Sequence, residues 1–244
     1  MYHDGMLADG PTISIIVPVH NGQRLVASAV TRIADEVRPL GPFEILVVDD
    51  GSSDGTAERL QEFEGPTATL RVIRLPQRCG KGAAVRAGML QAAGRVLCFT
   101  DVDLSASFDS IHEMVALLSR GCDVVIASRA LARSRIVISQ HPVRQMMGKT
   151  FNVMVRRLFA LPFRDTQCGL KAFRRDAALA VFSAARINGF AFDVELLVLA
   201  DRCGFSVAEL PVRWQDSRPS QVSLLRQPWQ MVRALRTLPR NLSR

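Results

Sequence analysis

Asp101 and Asp103 stand two residues apart, directly after the apolar run 96–100. Two carboxylates at that spacing in a turn can point toward one ligand. Hard oxygen donors of this kind suit Mg²⁺ or Mn²⁺, which commonly take one or two protein carboxylates and complete their shell with phosphate oxygens and water. Taken alone, the triplet is common and reads more readily as a solvated turn or a helix cap with Ser105 and Ser107. Its neighbours decide between the two. Pro18-Val19-His20-Asn21 closes another apolar run, and Asp49-Asp50-Gly51-Ser52-Ser53-Asp54-Gly55 closes a third. In that second stretch Asp54 is placed to cap the next helix, which leaves Asp49 to accept from a base or ribose donor. At Gly80-Lys81-Gly82 glycines open a helix beside a lysine, as an anion site at a helix N-terminus would require. The spacings GxxxxGK[ST] and GxGxxG are absent from the chain, which argues against a P-loop NTPase and a dinucleotide-binding oxidoreductase.

These polar clusters need a frame, and hydrophobic periodicity supplies one. Short apolar runs at 13–19, 43–49, 70–75, 96–100 and 123–127 have the length and β-branched content of buried strands. Helical stretches separate them: Val85, Gly88, Met89 and Ala92, and likewise Ile111, Met114, Val115 and Leu118, recur at i, i+3, i+4, i+7. Strand alternating with helix predicts an α/β fold, a mostly parallel central sheet with helices on both faces and right-handed crossovers. Ligands of such sheets bind beyond the carboxyl ends of the strands, where the polar clusters lie. After about residue 130 the pattern predicts a helix over 143–159, a strand over 168–173, a helix over 192–202 and a strand over 207–212. This second half is read as the acceptor-binding part of the same domain.

The bulk properties narrow the class. The chain has 244 residues, of which 48% are hydrophobic and 22% charged, enough for one large domain with a substantial core. No apolar run approaches the roughly 18 residues of a membrane-spanning helix. Five widely spaced cysteines without a CxxC pair argue against a disulfide framework and a structural zinc, and point to a reducing cytoplasm. Residues 1–11 show no secretory signal and read as a flexible tail. The net charge of +8 is unevenly placed. Residues 1–60 hold four arginines against nine carboxylates, whereas 129–175 hold nine arginines and two lysines against Asp165 alone. The middle of the chain is therefore expected to face something anionic.

The ordered set Ile-Ile-Val-Pro-Val-His-Asn, Val-Val-Asp-Asp-Gly-Ser-Ser-Asp-Gly-Thr, Gly-Lys-Gly-Ala-Ala-Val-Arg, Thr-Asp-Val-Asp-Leu-Ser, Ala-Ser-Arg and Asp165-Thr-Gln-Cys-Gly-Leu-Lys-Ala-Phe resembles the GT-A family 2 glycosyltransferases, of the polyprenyl-phosphate (dolichyl-phosphate) glycosyl synthase type. The likeness runs from about residue 13 to 224, and six motifs in order are far more specific than any one. It implies a GT-A domain over 12–225. It also implies that Pro18, His20, Asn21 and Asp49 line the nucleotide pocket, with Lys81 beside it, Asp101 near the nucleotide and Asp103 on the metal. His20 stands where relatives more often carry an aromatic. The stretch Asp165–Lys171 is closer to the dolichyl-phosphate glucosyltransferase branch than to the mannosyl branch, which favours UDP-glucose as donor over GDP-mannose. Relatives tend to carry Gly-Ser-Lys after the last strand, where this chain has Pro219-Ser220-Gln221, so either Arg218 or Arg226 replaces the missing cation or the acceptor differs from the family norm.

A mechanism follows from charge. A polyprenyl phosphate is already an anion at neutral pH and needs no base to attack an anomeric carbon. Arg129 and Arg144 are assigned to the acceptor phosphate and the metal to the leaving diphosphate, and single displacement predicts inversion. A related enzyme acting on a saccharide hydroxyl would need a carboxylate base, for which Asp165 is the candidate. Asp193 and Glu195 open an apolar helix, and one of them is read as favouring its N-terminus rather than the two as a glycosidase pair, although the resemblance puts this segment near the active site. A non-catalytic nucleic-acid-binding protein is the remaining alternative, opposed by one Tyr, two Trp and an acidic sheet edge. Over 226–244, Met231, Ala234, Leu235 and Leu238 share one helical face opposite Arg233, Arg236 and Arg240. Such a basic amphipathic helix either lies on an anionic membrane or packs on its own domain. Together these features predict a peripheral enzyme on the cytoplasmic face of the membrane, of undetermined oligomeric state.

Overall fold

The computed structural model describes residues 11–61, 69–138, 142–215, 231 and 233–235. The five apolar runs form β1 (Ile13–Val19), β2 (Phe43–Asp49), β3 (Thr69–Arg74), β4 (Val96–Phe99) and β5 (Val124–Ser128). Between them lie α1 (Val26–Val37), α2 (Thr56–Gln61), α3 (Lys81–Gln91) and α4 (Ile111–Ser119). The second half adds β6 (Arg135–Ile138), α5 (Pro142–Phe159), β7 (Lys171–Arg174), α6 (Arg175–Ala184), α7 (Phe192–Arg202), β8 (Val207–Pro211) and β9 (Arg213–Gln215). The strand expected from 168 begins only at Lys171, because the Lys171 ammonium donates to the Cys168 carbonyl at 2.6 Å and holds 168–170 in a bend.

Seven strands form one sheet in the order β3-β2-β1-β4-β7-β5-β8, with β7 alone running against its neighbours. Side chains alternate across it with the period of two that a strand imposes. Ile16, Leu46, Val48 and Phe99 pack on one face with residues of α3, α6 and α7, whereas Ile15, Val17, Ile45 and Val47 pack on the other with residues of α1 and α4. Helix α3 lies close against the sheet. A Cβ on its Gly88 would meet Ile16 Cγ2 at 2.6 Å and Val48 Cγ2 at 2.9 Å, so only glycine permits that approach.

The strand order creates the crevice. The chain lays β2 and β3 outward from β1, then returns to place β4 on β1's other side, so the order reverses between β1 and β4. Ligands of open α/β sheets sit beyond the carboxyl ends of the strands at such a reversal. A second sheet of two parallel strands, β6 and β9, stands beside that edge, joined to it by Ser107 N–H to Arg213 O at 2.8 Å and Gln215 N–H to Ser105 O at 2.8 Å.

Candidate active site

The loops after β1 and β2 are stitched into one surface. Asn21 adopts a left-handed backbone (φ 53°) that asparagine tolerates better than most residues. Its N–H donates to Ser52 Oγ at 2.9 Å, and its Oδ1 accepts from Ser53 N–H at 2.9 Å. Asp54 caps α2 as expected, accepting from Thr56 N–H at 3.1 Å, and also accepts from Gln23 N–H at 3.2 Å. The His20 ring is fixed by Nδ1 against Asp50 O at 2.9 Å; a carbonyl only accepts, so Nδ1 carries the proton. Pro18 is buried within β1, where it pairs with Val48.

Asp49 is fully buried at the end of β2. Its Oδ1 accepts from Ser52 N–H at 2.9 Å, but its Oδ2 has no hydrogen-bond partner, and Arg74 Nε stands 3.6 Å away. A buried acceptor left open is costly, which marks Oδ2 as a place for a donor from a ligand.

The anion site expected at the start of α3 is already filled by the protein itself. The Asp50 carboxylate accepts from Cys79 N–H at 2.6 Å and Gly80 N–H at 2.9 Å, while the Asn188 carbonyl accepts from Gly82 N–H at 2.7 Å. The helix N-terminus does attract an anion, as its dipole requires, and that anion is Asp50.

Lys81 instead turns across the crevice to Asp101, with Nζ 2.5 Å from Oδ1. Burial alone would lower the lysine's pKa, but the charge and hydrogen bond of Asp101, with Asp193 and Asp103 beyond, raise it. On the other side Asp101 meets Gly169, which has no side chain to displace it. Asp103 accepts from Ser105 N–H at 3.0 Å within a turn whose Leu104 is left-handed (φ 49°), a conformation rare for a branched residue and found at functional loops. No group of three or more His, Cys, Asp or Glu that could hold a metal occurs among the described residues. Two carboxylates on a sheet rim fit a divalent cation that draws its remaining ligands from a polyphosphate and water.

At the far end, Asp165 and Arg129 form a bidentate pair: Nε to Oδ2 at 2.7 Å and Nη2 to Oδ1 at 2.9 Å, with Arg129 N–H adding a third bond at 2.9 Å. Burial would raise the Asp165 carboxyl, but the Arg129 charge and these hydrogen bonds overcome it and hold the pKa down to about 2. The guanidinium also lies over the Trp214 ring at 5.7 Å. Nη1 is left outside the bidentate pair. Arg144 lies in α5 and its side chain falls outside the described residues, as do Arg218, Gln221 and Arg226. Residues 1–10 are also outside them.

Asp193 and Glu195 stand in the first turn of α7, as expected, and each also has a partner of its own. Asp193 pairs with the fully buried Lys171 at 2.5 Å, and Glu195 accepts from Arg186 N–H at 2.9 Å and Ile187 N–H at 2.7 Å. Neither serves as a mere helix-terminal charge. Asp50, Gly169, Lys171 and Trp214 were not singled out, although the first three sit inside the motifs that were. In the C-terminal stretch, Leu235 is buried and Met231 and Ala234 are partly buried against the main core, so at these residues the apolar face is turned onto the domain.

A reversed-order α/β sheet with a carboxylate pair on its rim belongs to the class of sites that can hold a nucleotide with a divalent cation. The profile of glycosyl transferase family 2 matches residues 14–182, and the chain belongs to that family. It is 30% identical over 231 residues to the dolichyl-phosphate beta-glucosyltransferase of Saccharomyces cerevisiae, covering 87% of this chain and 69% of that one. The enzyme of the same name from Dictyostelium discoideum is 29% identical over 241 residues, covering 92% and 73%. Among solved structures, glucosyl-3-phosphoglycerate synthase from Mycobacterium tuberculosis, crystallised with Mn²⁺, UDP and glucosyl-3-phosphoglycerate, superposes with a TM-score of 0.64 at 20% identity, over 93% of this chain and 79% of that one. At that identity the likeness is one of fold, and the fold is the GT-A fold that the sequence resemblance implies.

Proposed function

We propose that this glycosyltransferase moves glucose from UDP-glucose to a polyprenyl phosphate with inversion at the anomeric carbon. The observation that carries the acceptor class is the state of Asp165. A saccharide hydroxyl acceptor would need a carboxylate base near neutral pKa, and the candidate base is instead held at about 2 in a bidentate pair. A phosphate monoester needs no base. Its oxygen attacks the anomeric carbon, the bond from that carbon to the donor's diphosphate breaks, and the electron pair leaves with the nucleoside diphosphate.

In this reading Asp165 is a positioning residue: it fixes Arg129 so that Nη1 is offered to the acceptor phosphate, with Arg144 as the second cation. Asp49 Oδ2 takes a donor from the nucleoside, and His20 and Asn21 shape the floor beside it. Mg²⁺ or Mn²⁺, held by Asp103 with Asp101, would supply positive charge to the leaving diphosphate. Lys81 then shifts from its pair with Asp101 to the same phosphates. The names of the eukaryotic relatives support the glucosyl and dolichyl-phosphate assignments, and the fold neighbour crystallised with Mn²⁺ and UDP-glucose supports the donor. No helix among the described residues is long and apolar enough to cross a membrane. The enzyme is placed at the membrane face by its acceptor.

The deciding experiment offers radiolabelled UDP-glucose, GDP-mannose and UDP-galactose with one short prenyl phosphate, and separately with saccharide acceptors. Transfer from UDP-glucose to the prenyl phosphate alone is the expected result, lost on chelation and in Asp103→Ala with the fold intact. Transfer only to a saccharide would overturn the reading.

A further inference from the structure

Most of the exposed large hydrophobic side chains among the described residues are gathered in one stretch of chain. Of ten large hydrophobic side chains that stand out in solvent, seven lie between Ile136 and Leu158. Strand β6 is exposed at every residue, including Ile136, Val137 and Ile138, although it is paired to β9 along one edge. Helix α5 is apolar on both sides. It buries Val155 and half-buries Phe151 and Phe159 against the core, while Met146, Val153 and Met154, at i, i+7, i+8, point outward at 37% to 63% exposure. A solvent-facing helix of a soluble domain would carry mixed charges there.

The charges beside this patch have one sign. Residues 129–164 contain eight arginines and lysines and not one Asp or Glu. On α5, Lys149 and Arg157 are exposed on the same side as Met146 and Val153. Aliphatic side chains interleaved with unopposed cations match the two parts of an anionic lipid surface: acyl boundary for the first, headgroup phosphate for the second. They do not match nucleic acid, since the exposed side chains are aliphatic and offer no ring on which a base could stack.

Both elements are also fastened to the acceptor end of the site. Strand β6 pairs with β9, whose Trp214 lies under the Arg129 guanidinium. Helix α5 carries Asn152, which donates to the Arg164 carbonyl and accepts from Thr166 Oγ1 at 3.1 Å, on either side of Asp165. We propose that the outward face of β6 and α5 is a bilayer-docking surface selective for anionic headgroups, which sets Arg129 at the membrane plane. This deepens the lipid-acceptor reading and rests on it only for the purpose of the docking. The C-terminal stretch, whose described apolar residues are turned inward, is not needed for it.

The test is sedimentation of the full chain with vesicles of phosphatidylcholine alone and of phosphatidylcholine mixed with phosphatidylglycerol. The chain is expected to pellet with the mixed vesicles and to be released by high salt. V153D/M154D, and separately K149E/R157E, should each weaken that binding about tenfold or more, with circular dichroism and melting unchanged. Turnover on a short, water-soluble prenyl phosphate free of vesicles should stay at the parent level in both variants. Unaltered vesicle binding in both variants would overturn the proposal. So would a parent dimer that V153D/M154D converts to monomer without loss of vesicle binding, since the face would then be a contact between copies. If the parent binds as described yet turns over no prenyl phosphate, the docking face stands and the acceptor assignment falls.

Discussion

A methyl group on the α-carbon of Gly169 would lie 2.2 Å from Asp101 Oδ2 and 2.8 Å from its Cγ. The carboxylate that opens the Asp-Val-Asp triplet is thus clasped between the Lys81 ammonium and a bare backbone. Two motifs some seventy residues apart in the chain meet at this contact, which explains why one of them needs glycine at that position.

Gly169→Ala must therefore displace the Asp101 carboxylate from its present position. Supporting contacts behind a metal ligand typically carry about 10–100-fold of metal affinity. Titration of Mn²⁺ in the presence of UDP should show a loss within that range, with a melting temperature close to the parent's. An unchanged affinity would mean that Asp101 is free to relocate without consequence.

Lys171 is completely buried and is neutralised by Asp193 at 2.5 Å, with the Phe99 ring 5.5 Å from its ammonium. Removing one partner of such a pair leaves an uncompensated charge in the core, which costs about 3–5 kcal/mol. Lys171→Met should show that loss in urea unfolding, and adding Asp193→Leu should restore much of it. Because the same ammonium holds the Cys168 carbonyl, both variants should also loosen the bend that carries Gly169. Their Mn²⁺ affinity should fall even where stability returns. Parent-like metal affinity in the double variant would limit the pair to a role in the core.

The first five strands, helices α5 and α7 and the sheet edge that holds the site were legible in the sequence, because buried strands and amphipathic helices write their burial into residue type. The β6–β9 pair was not, since Ile136, Val137 and Ile138 are apolar yet exposed and break the rule by which strands are read. Helix α6 follows β7 without an intervening turn, so no breaker announces it. At the site, Asp49, Asp101, Asp103 and Arg129 were chosen by motif. What sequence could not convey is which carboxylates are already spent: Asp50 on the α3 N-terminus, Asp193 on Lys171, Asp165 on Arg129. Those partners are fixed by long-range packing, and spacing along the chain carries no trace of them.

The Asp165–Arg129 pair should leave a mark on the acid limb of stability. The folded carboxyl sits at about 2 against an ordinary value of 3.8, so its contribution is fully present above about pH 4 and is lost as pH falls through 2. A depression of that size corresponds to about 2 kcal/mol. Asp165→Asn should flatten the stability profile between about pH 4 and pH 2 and lower the stability plateau at neutral pH. It should also raise KM for the prenyl phosphate more than for the donor, since Arg129 loses its orientation. An unchanged acid limb would place the charge partner of Arg129 elsewhere.

Asp49 offers the sharpest separation of binding from folding. Its Oδ2 is buried without a hydrogen bond, and the nearest cation, Arg74, is largely exposed at 3.6 Å, a geometry worth no more than about 1 kcal/mol. Asp49→Asn keeps an oxygen for Ser52 N–H and replaces the open acceptor by an amide donor. Stability should therefore stay within about 1 kcal/mol of the parent's, since a buried charge with poor compensation is removed. Nucleotide affinity should nonetheless fall about tenfold or more, because a ligand donor would now face N–H rather than carboxylate oxygen. Calorimetric titration of UDP alongside thermal melts reads both quantities. If affinity and stability decline together, Asp49 Oδ2 serves the fold rather than the nucleoside.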